Sequence, residues 1–105
     1  MRVDPFKTDT KHQLLVQGWI EELGIGTITE QPFGDYSVDI FIPDLGLGIE
    51  IDGPYHLKKR DRARDEYINQ VHGVDIWRIP IKEMGAGYKD EFVKRLMLKV
   101  EELDK

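Results

Sequence analysis

The sequence predicts an α/β (α+β) fold, with an α-β-β-β-α-β core, a mixed sheet flanked by helices and an extra C-terminal helix. Apolar and polar residues alternate through residues 38–52, which is the period of a half-buried strand. Apolar residues recur at helical spacing in residues 10–23, 60–72 and 89–103. Glycine or proline separates most of these segments. Strands and helices in this order imply a mixed sheet with helices on both faces.

The three helices are predicted from their caps and their apolar stripes. Thr10 and Gln13 form a capping box, and Gly24 is a natural stop after a helix that ends near Leu23. The second helix is expected at about residues 60–72, and the third at about residues 89–103. The stripes expected to be buried are Leu15, Trp19 and Leu23 in the first helix, Ala63, Tyr67 and Val71 in the second, and Phe92, Leu96, Val100 and Leu103 in the third.

The central strands are predicted to form a tight hairpin. The sequence Pro-Asp-Leu-Gly at residues 43–46 has good turn chemistry, because proline presets φ and glycine accepts a positive φ. A four-residue loop pairs Ile42 with Leu47, and the register then places Val38 opposite Ile51 with all apolar residues on one side. Residues 26–33 form a weaker first strand, and residues 74–79 form the last strand before Pro80.

The same register places carboxylates together on the other side of the hairpin. Asp39 lies directly opposite Glu50, with Asp52 two residues further along the same face. Like charges at paired positions destabilise a sheet unless something neutralises them, and a hard divalent cation does so. We therefore predict an Mg²⁺ or Mn²⁺ site formed by Asp39, Glu50, Asp52 and the carbonyl oxygen of Ile51. The alternative is a solvated strand face that carries acids.

A histidine and a run of basic residues follow the acids. His56 is a candidate proton-transfer group near neutral pH. The basic residues could bind phosphates, or they could form a solvated helix face with salt bridges to nearby acids. Arg78 is a further charged residue on a mostly apolar strand. The basic run consists of Lys58, Lys59, Arg60, Arg62 and Arg64.

Length and composition limit the class of protein. The 105 residues correspond to one domain, residues 1–105, and 40% hydrophobic content is typical of a globular fold. The absence of cysteine excludes disulfides and thiolate metal sites, and no apolar run is long enough to span a membrane. A cytoplasmic location is expected. The net charge of −5 argues against a nucleic-acid partner, but the local basic run weakens that argument.

Residues 50–56, Glu-Ile-Asp-Gly-Pro-Tyr-His, resemble the Vsr-like branch of the PD-(D/E)XK nuclease superfamily. The pattern has an aspartate on one strand, Glu-x-Asp-Gly-x-x-His on the next, and then a helix with arginine and aspartate. The resemblance extends over about residues 30–80 and implies a restriction-endonuclease-like core. It also implies an Mg²⁺-dependent endonuclease in a bacterial or phage-infected cell, acting on DNA in repair, recombination or phage DNA metabolism. The matching residues are Asp39, Glu50, Asp52, Gly53, His56, Arg64, Asp65 and Arg78.

By that resemblance, Asp39 and Glu50 bind the metal, and His56 serves the active site. The sequence departs from the pattern at Asp52, where the superfamily usually has a lysine that stabilises charge. Lys58 or His56 would have to take over the role of that lysine. Glu22 is a weak candidate for the glutamate that relatives carry on the first helix. Residues 50–56, followed by residues 78–83, also resemble the RAP domain, a nuclease-fold relative found in RNA-associated proteins. With the missing lysine at position 52, this gives the alternative of an inactive or weakly active nucleic-acid-binding module with RNA as its partner. One site cuts one strand, so double-strand cleavage would require a homodimer.

Overall fold

The computed structural model describes residues 10–53 and 58–104, which form a four-stranded sheet with helices on both faces. This arrangement confirms the predicted fold class, and the extra helix lies at the C-terminal end as expected. Within these ranges, no helix is both long enough and apolar enough to cross a membrane. The elements are α1 (Thr10–Glu21), β1 (Ile28–Phe33), β2 (Tyr36–Ile42), β3 (Leu47–Asp52), α2 (Lys58–His72), β4 (Asp75–Pro80) and α3 (Tyr88–Leu103), with short 3-10 turns at Pro43–Leu45 and Ile81–Glu83.

The sheet has the strand order β1-β2-β3-β4. The first three strands are antiparallel, and β4 runs parallel to β3 after the crossover through α2. The predicted β2–β3 register is confirmed at Ile42 with Leu47 and at Ile40 with Ile49. Gly46 adopts a φ of 58°, so it supplies the left-handed conformation that ends this turn.

The larger apolar core lies between the sheet and the layer formed by α1 and α3. The rings of Trp19 and Phe92, one from each helix, are 5.8 Å apart at their centroids. Since the strand residues of this core alternate with those facing α2, the core covers one face of the sheet. Its buried members are Val16, Trp19, Ile20, Ile40, Ile42, Leu47, Ile49, Ile51, Ile79, Phe92 and Leu96.

A smaller apolar cluster lies between the sheet and α2. It consists of Phe33, Val38, Ile68 and Val74. The expectation that Val38 shares a face with the other apolar residues of the hairpin is therefore wrong. The alternation changes next to Asp39, where the β1–β2 pairing skips the opposite residue, Glu30, which has a φ of 53°. A local distortion of this kind places Val38 over the face that α2 covers.

The buried stripes of two helices also differ from the prediction. In α1, Val16, Trp19 and Ile20 are buried, whereas Leu15 and Leu23 are exposed, because the helix packs against both α3 and the sheet. In α3, Phe92 and Leu96 are buried as predicted, Val100 is half-buried and Leu103 is exposed.

The inward face of α2 is largely charged. The predicted stripe of Ala63, Tyr67 and Val71 is wrong, because all three residues are exposed. Ile68 is buried instead, and the half-buried residues Asp61, Arg64 and Asp65 lie before it on the helix. The prediction assumed that α2 buries its apolar residues. The sheet surface under its first turns is polar, so charged residues of α2 face that surface instead.

We expect Gly48→Ala to destabilise the protein. A Cβ atom at this position would lie 2.8 Å from Val38 Cγ1 and 2.9 Å from Ile76 Cδ1. Valine is stiff about χ1, so the added methyl group should lower the free energy of unfolding by roughly 1–3 kcal/mol. Urea denaturation monitored by circular dichroism measures this change.

Gly18→Ala is the matched control. Gly18 lies inside α1, and its Cβ would meet nothing within 4 Å. Because alanine is the better helix former, this variant should be as stable as the wild type, or more stable by up to about 1 kcal/mol. Equal stability of Gly48→Ala and the wild type would contradict the close packing of Val38 and Ile76 against Gly48.

Candidate active site at the ends of the central strands

Carboxylates replace the backbone ladder between β2 and β3 at one end of the hairpin. Backbone pairing of these strands ends at Ile40 and Ile49. Beyond that point, the Ile51 backbone N–H donates to Asp39 Oδ2 at 2.9 Å, and the Asp39 N–H donates to Glu50 Oε2 at 3.4 Å. A buried backbone N–H needs an acceptor, so the Asp39 carboxylate is held in place by the sheet itself.

Asp39 and Glu50 are both strongly buried, with exposed fractions of 8% and 6%. Burial, together with the hydrogen bond and the negative charge of Asp39, raises the pKa of Glu50 to about 8, even though Arg64 acts to lower it. A carboxylate with this pKa is poorly compensated by its surroundings in the ionised form. The site therefore favours either a proton or an additional positive charge next to Glu50.

Arg64 connects α2 to this end of the sheet. Its guanidinium donates to Glu50 Oε1 and to the backbone carbonyl of Ser37 on β2. Its side chain is less than one-fifth exposed. This charge-assisted contact partly neutralises Glu50 and fixes the helix relative to both central strands.

Arg78 forms a second charged network on the adjacent strand. Its Nε and Nη2 donate to the two carboxylate oxygens of Asp65 at 2.8 and 2.7 Å. Its Nη1 donates to Asp52 Oδ1 at 2.9 Å and lies 3.5 Å from Asp61 Oδ2. Burial lowers the pKa of Arg78, but these acids together raise it above its usual range. Arg78 thus stays cationic and joins β3, β4 and α2.

The donor set at Asp39 and Glu50 is suitable for a hard divalent cation. Magnesium in proteins is usually bound by one or two carboxylates, with water or phosphate oxygens completing its shell. A carboxylate oxygen keeps acceptor capacity after one hydrogen bond, so the contacts to Ile51 and Arg64 do not exhaust these two groups. A buried acid with a raised pKa gains from a cation.

The described part of the chain does not bring three carboxylates together as the predicted site of Asp39, Glu50 and Asp52 would require. No group of three or more His, Cys, Asp or Glu in residues 10–53 and 58–104 is arranged to hold a metal ion. Asp52 is paired with Arg78, so metal binding by Asp52 stays a prediction that requires this ion pair to rearrange. Ile51 contacts Asp39 through its N–H, and its predicted role as a carbonyl ligand stays a prediction as well.

The other predicted site residues fall in different places. His56 lies outside the described residues. Lys58 begins α2, but its side chain is also outside the described part. Glu22 follows α1 on the face of the sheet opposite α2, where it is exposed and paired with Lys89 at 3.1 Å. The structure therefore does not bring Glu22 to Asp39 and Glu50.

The predicted basic run is divided between the two flanks of α2. Arg60, Arg64, Tyr67 and Val71 follow helical spacing along the flank nearer β2, without an acid among them. Arg62 lies on the other flank, in an open groove of about 710 Å³ beside β4. Lys59 is exposed near the start of the helix. The groove is lined by Asp61, Arg62, Asp65, Glu66, Asn69, Gln70, Asp75, Ile76, Trp77 and Arg78.

Asp61 is a site residue that sequence reasoning missed. It follows the helical spacing of Asp65, and both carboxylates approach Arg78. That i, i+4 spacing is the only signal in the sequence, and it does not show which side of α2 faces the sheet. Ser37 was also missed, because its contribution is a backbone carbonyl.

A solved structure has the same arrangement of elements. The catalytic domain of the homing endonuclease I-Bth0305I superposes with a TM-score of 0.53 at 17% sequence identity, covering 90% of each chain. This chain has a nuclease-like fold. The likeness at this identity establishes the fold alone. No protein-family model and no curated protein matches the sequence.

We expect the raised pKa of Glu50 to produce a specific dependence of stability on pH. The folded protein holds a proton on Glu50 between the usual value of 4.5 and about 8, where the unfolded chain has lost it. The contribution of Glu50 is therefore fully present below pH 4.5 and is lost as the pH rises towards 8, by at most about 1.4 kcal/mol per pH unit. Urea unfolding at intervals from pH 5 to pH 9, without divalent metal, measures it.

Glu50→Gln provides the comparison, because glutamine does not titrate. The variant should lose this component of the slope between pH 5 and pH 8. An unchanged slope in Glu50→Gln would show that Glu50 is ionised across this range.

Proposed function

We propose that this protein is a metal-dependent endonuclease of the Vsr-like, PD-(D/E)XK type that hydrolyses phosphodiester bonds in DNA. The observation that carries the proposal is the buried pair of Asp39 and Glu50 at the point where β2 and β3 stop pairing. The nuclease-like fold and the sequence pattern of residues 50–56 support it. We propose residues 1–105 as one nuclease domain, in the cytoplasm of a bacterial or phage-infected cell.

In this proposal, Asp39 and Glu50 would hold Mg²⁺ or Mn²⁺, with Glu50 in its ionised form. The ion would polarise the scissile phosphate and lower the pKa of a bound water. Asp39 is oriented by the Ile51 N–H, so its free lone pairs keep a fixed direction. Asp52 orients water or a second ion, His56 transfers a proton, and Lys58 stabilises charge on the phosphate. Homodimers would be needed to cut both strands of a duplex.

A nucleic-acid-binding module without catalysis is the second candidate. The observation in its favour is that Arg64 and Arg78 already pair with Glu50 and Asp52, so the fold supplies a cation of its own to each of these acids. RNA is then as suitable a partner as DNA, as in the RAP domain. The two candidates differ in whether cleavage depends on Asp39.

We expect purified protein to cleave DNA in Mg²⁺ or Mn²⁺, and we expect Asp39→Ala to reduce the cleavage rate by at least about a hundredfold. The reason is that Asp39 is one of two buried carboxylates that hold the metal, and loss of such a group removes several kcal/mol of transition-state stabilisation. Labelled duplex, single-stranded, branched and RNA substrates should be compared in metal and in EDTA.

Asp44→Asn is the matched control. Asp44 is an exposed acid in the turn of the same hairpin, and it should leave cleavage unchanged. Cleavage that is equal in Asp39→Ala and the wild type would identify a contaminant and refute the proposal. Salt-sensitive binding of nucleic acid without any cleavage would favour the second candidate.

We also expect Arg60→Ala to weaken nucleic-acid binding more than Arg62→Ala. Arg60 lies on the flank of α2 without acids, whereas Arg62 lies in the acidic groove. Loss of one phosphate contact should reduce the salt dependence of log K by about 1 in Arg60→Ala. Fluorescence anisotropy at several salt concentrations measures both slopes, and equal losses in the two variants would contradict this division of α2.

A further inference from the structure

An exposed row of aromatic side chains continues from the candidate active site. Tyr36 at the start of β2 and Tyr67 on α2 have ring centroids 5.5 Å apart, and the Tyr67 ring lies 5.8 Å from His72. Tyr36 and Tyr67 are 40% and 37% exposed. The row is anchored by the buried ring of Phe33, which lies 5.1 Å from His72.

Arg64 joins this row to the buried acids. Its guanidinium carbon lies 5.8 Å from the centroid of the Tyr36 ring, while its Nη2 contacts Glu50. Tyr36 also precedes Ser37, whose carbonyl accepts a hydrogen bond from Arg64. The side chain of Arg64 therefore lies between the aromatic row and Glu50, which would hold the metal ion in the proposed function.

The electrostatics of α2 favour a nucleic-acid strand on this side. The flank with Arg60, Arg64 and Tyr67 carries no acid, whereas the groove on the other flank has an excess of acids over the arginines Arg62 and Arg78. The acids of the groove are Asp61, Asp65, Glu66 and Asp75. Phosphates would be repelled from the acidic groove and attracted to the basic flank. A strand whose phosphate reaches the cation that Asp39 and Glu50 would hold would bring a neighbouring base to Tyr36 and Tyr67.

We propose that Tyr36 and Tyr67, whose ring planes meet at 62°, form a platform for an unpaired nucleobase next to the scissile phosphate, with the base stacked on one ring and packed against the edge of the other. Aromatic side chains next to a basic track bind unpaired bases by stacking, because every base has a π face that is covered by its neighbours in a duplex. This inference rests on the proposed function and refines its substrate class. The substrate is a strand with at least one unpaired or extruded nucleotide, not fully paired duplex.

The test compares three DNA probes in EDTA, so that binding is measured without cleavage. The probes are a single strand, a duplex with one unpaired 2-aminopurine, and the fully paired duplex. Each should be titrated with the wild type, Tyr36→Ala and Tyr67→Ala, with Tyr36→Phe and Tyr67→Phe as controls that keep the ring. Thermal melting shows whether each variant remains folded, and Tyr36→Ala at the exposed start of β2 serves if Tyr67→Ala melts early.

We expect each alanine variant to lose about tenfold in affinity for the two probes with unpaired bases, and less than about twofold for the paired duplex. The phenylalanine variants should bind as the wild type does. The fluorescence of the unpaired 2-aminopurine should be quenched by the wild type and should recover in the alanine variants, which a merely structural role of the tyrosines would not produce.

Equal losses on all three probes, unchanged affinity, unchanged quenching or no binding to any probe would each overturn the inference. Asp39→Asn separates it from the proposed function, because the amide oxygen still accepts the hydrogen bond of the Ile51 N–H while the negative charge that would bind the metal is lost. That variant should keep the preference for unpaired bases and lose cleavage. If the preference is present but the wild type never cleaves, the proposed activity fails and the stacking platform stands.

Discussion

The hydrogen bond from the Ile51 N–H to the Asp39 carboxylate is the contact on which the site depends. It lets two antiparallel strands stop pairing without leaving that buried donor unsatisfied, and it brings two acids together at that point. The distortion that accompanies it also moves Val38 to the face under α2. The side chain of Asp39 thus replaces a backbone acceptor at the point where the two acids meet and where the alternation of β2 changes.

Arg64 and Arg78 neutralise only part of the negative charge of this acidic region. Among the described residues of the site, five acids (Asp39, Glu50, Asp52, Asp61 and Asp65) face Arg64 and Arg78, so full ionisation would leave five negative charges against two positive ones. Buried ion pairs add little net stability, although loss of one partner is costly. Their clearer consequence is positional, because they hold α2 over the ends of β3 and β4 at a defined angle. Burial is the main cause of the raised pKa of Glu50, and the neighbouring Asp39 adds to it more than Arg64 offsets.

The two flanks of α2 differ in a way that net charge conceals. A chain with a net charge of −5 has an acidic groove on one side of this helix and a basic, aromatic surface on the other. Its local field, and not its overall charge, decides where a polyanion could approach. The buried acids lie next to the basic side, which makes that approach compatible with chemistry at a phosphate.

The sequence alone determined the order of the elements, the β2–β3 register from Ile40 to Leu47 and the proximity of Asp39 to Glu50. These features depend on turn chemistry and on a period of two, both of which are local. Tertiary structure decided which face each helix buries and where each charge points. In α2, periodicity predicted Tyr67 and Val71 inside, yet Asp61, Arg64 and Asp65 face the sheet because its polar end offers them partners. Such partners come from strands that are distant in the chain, so no local pattern could have identified them.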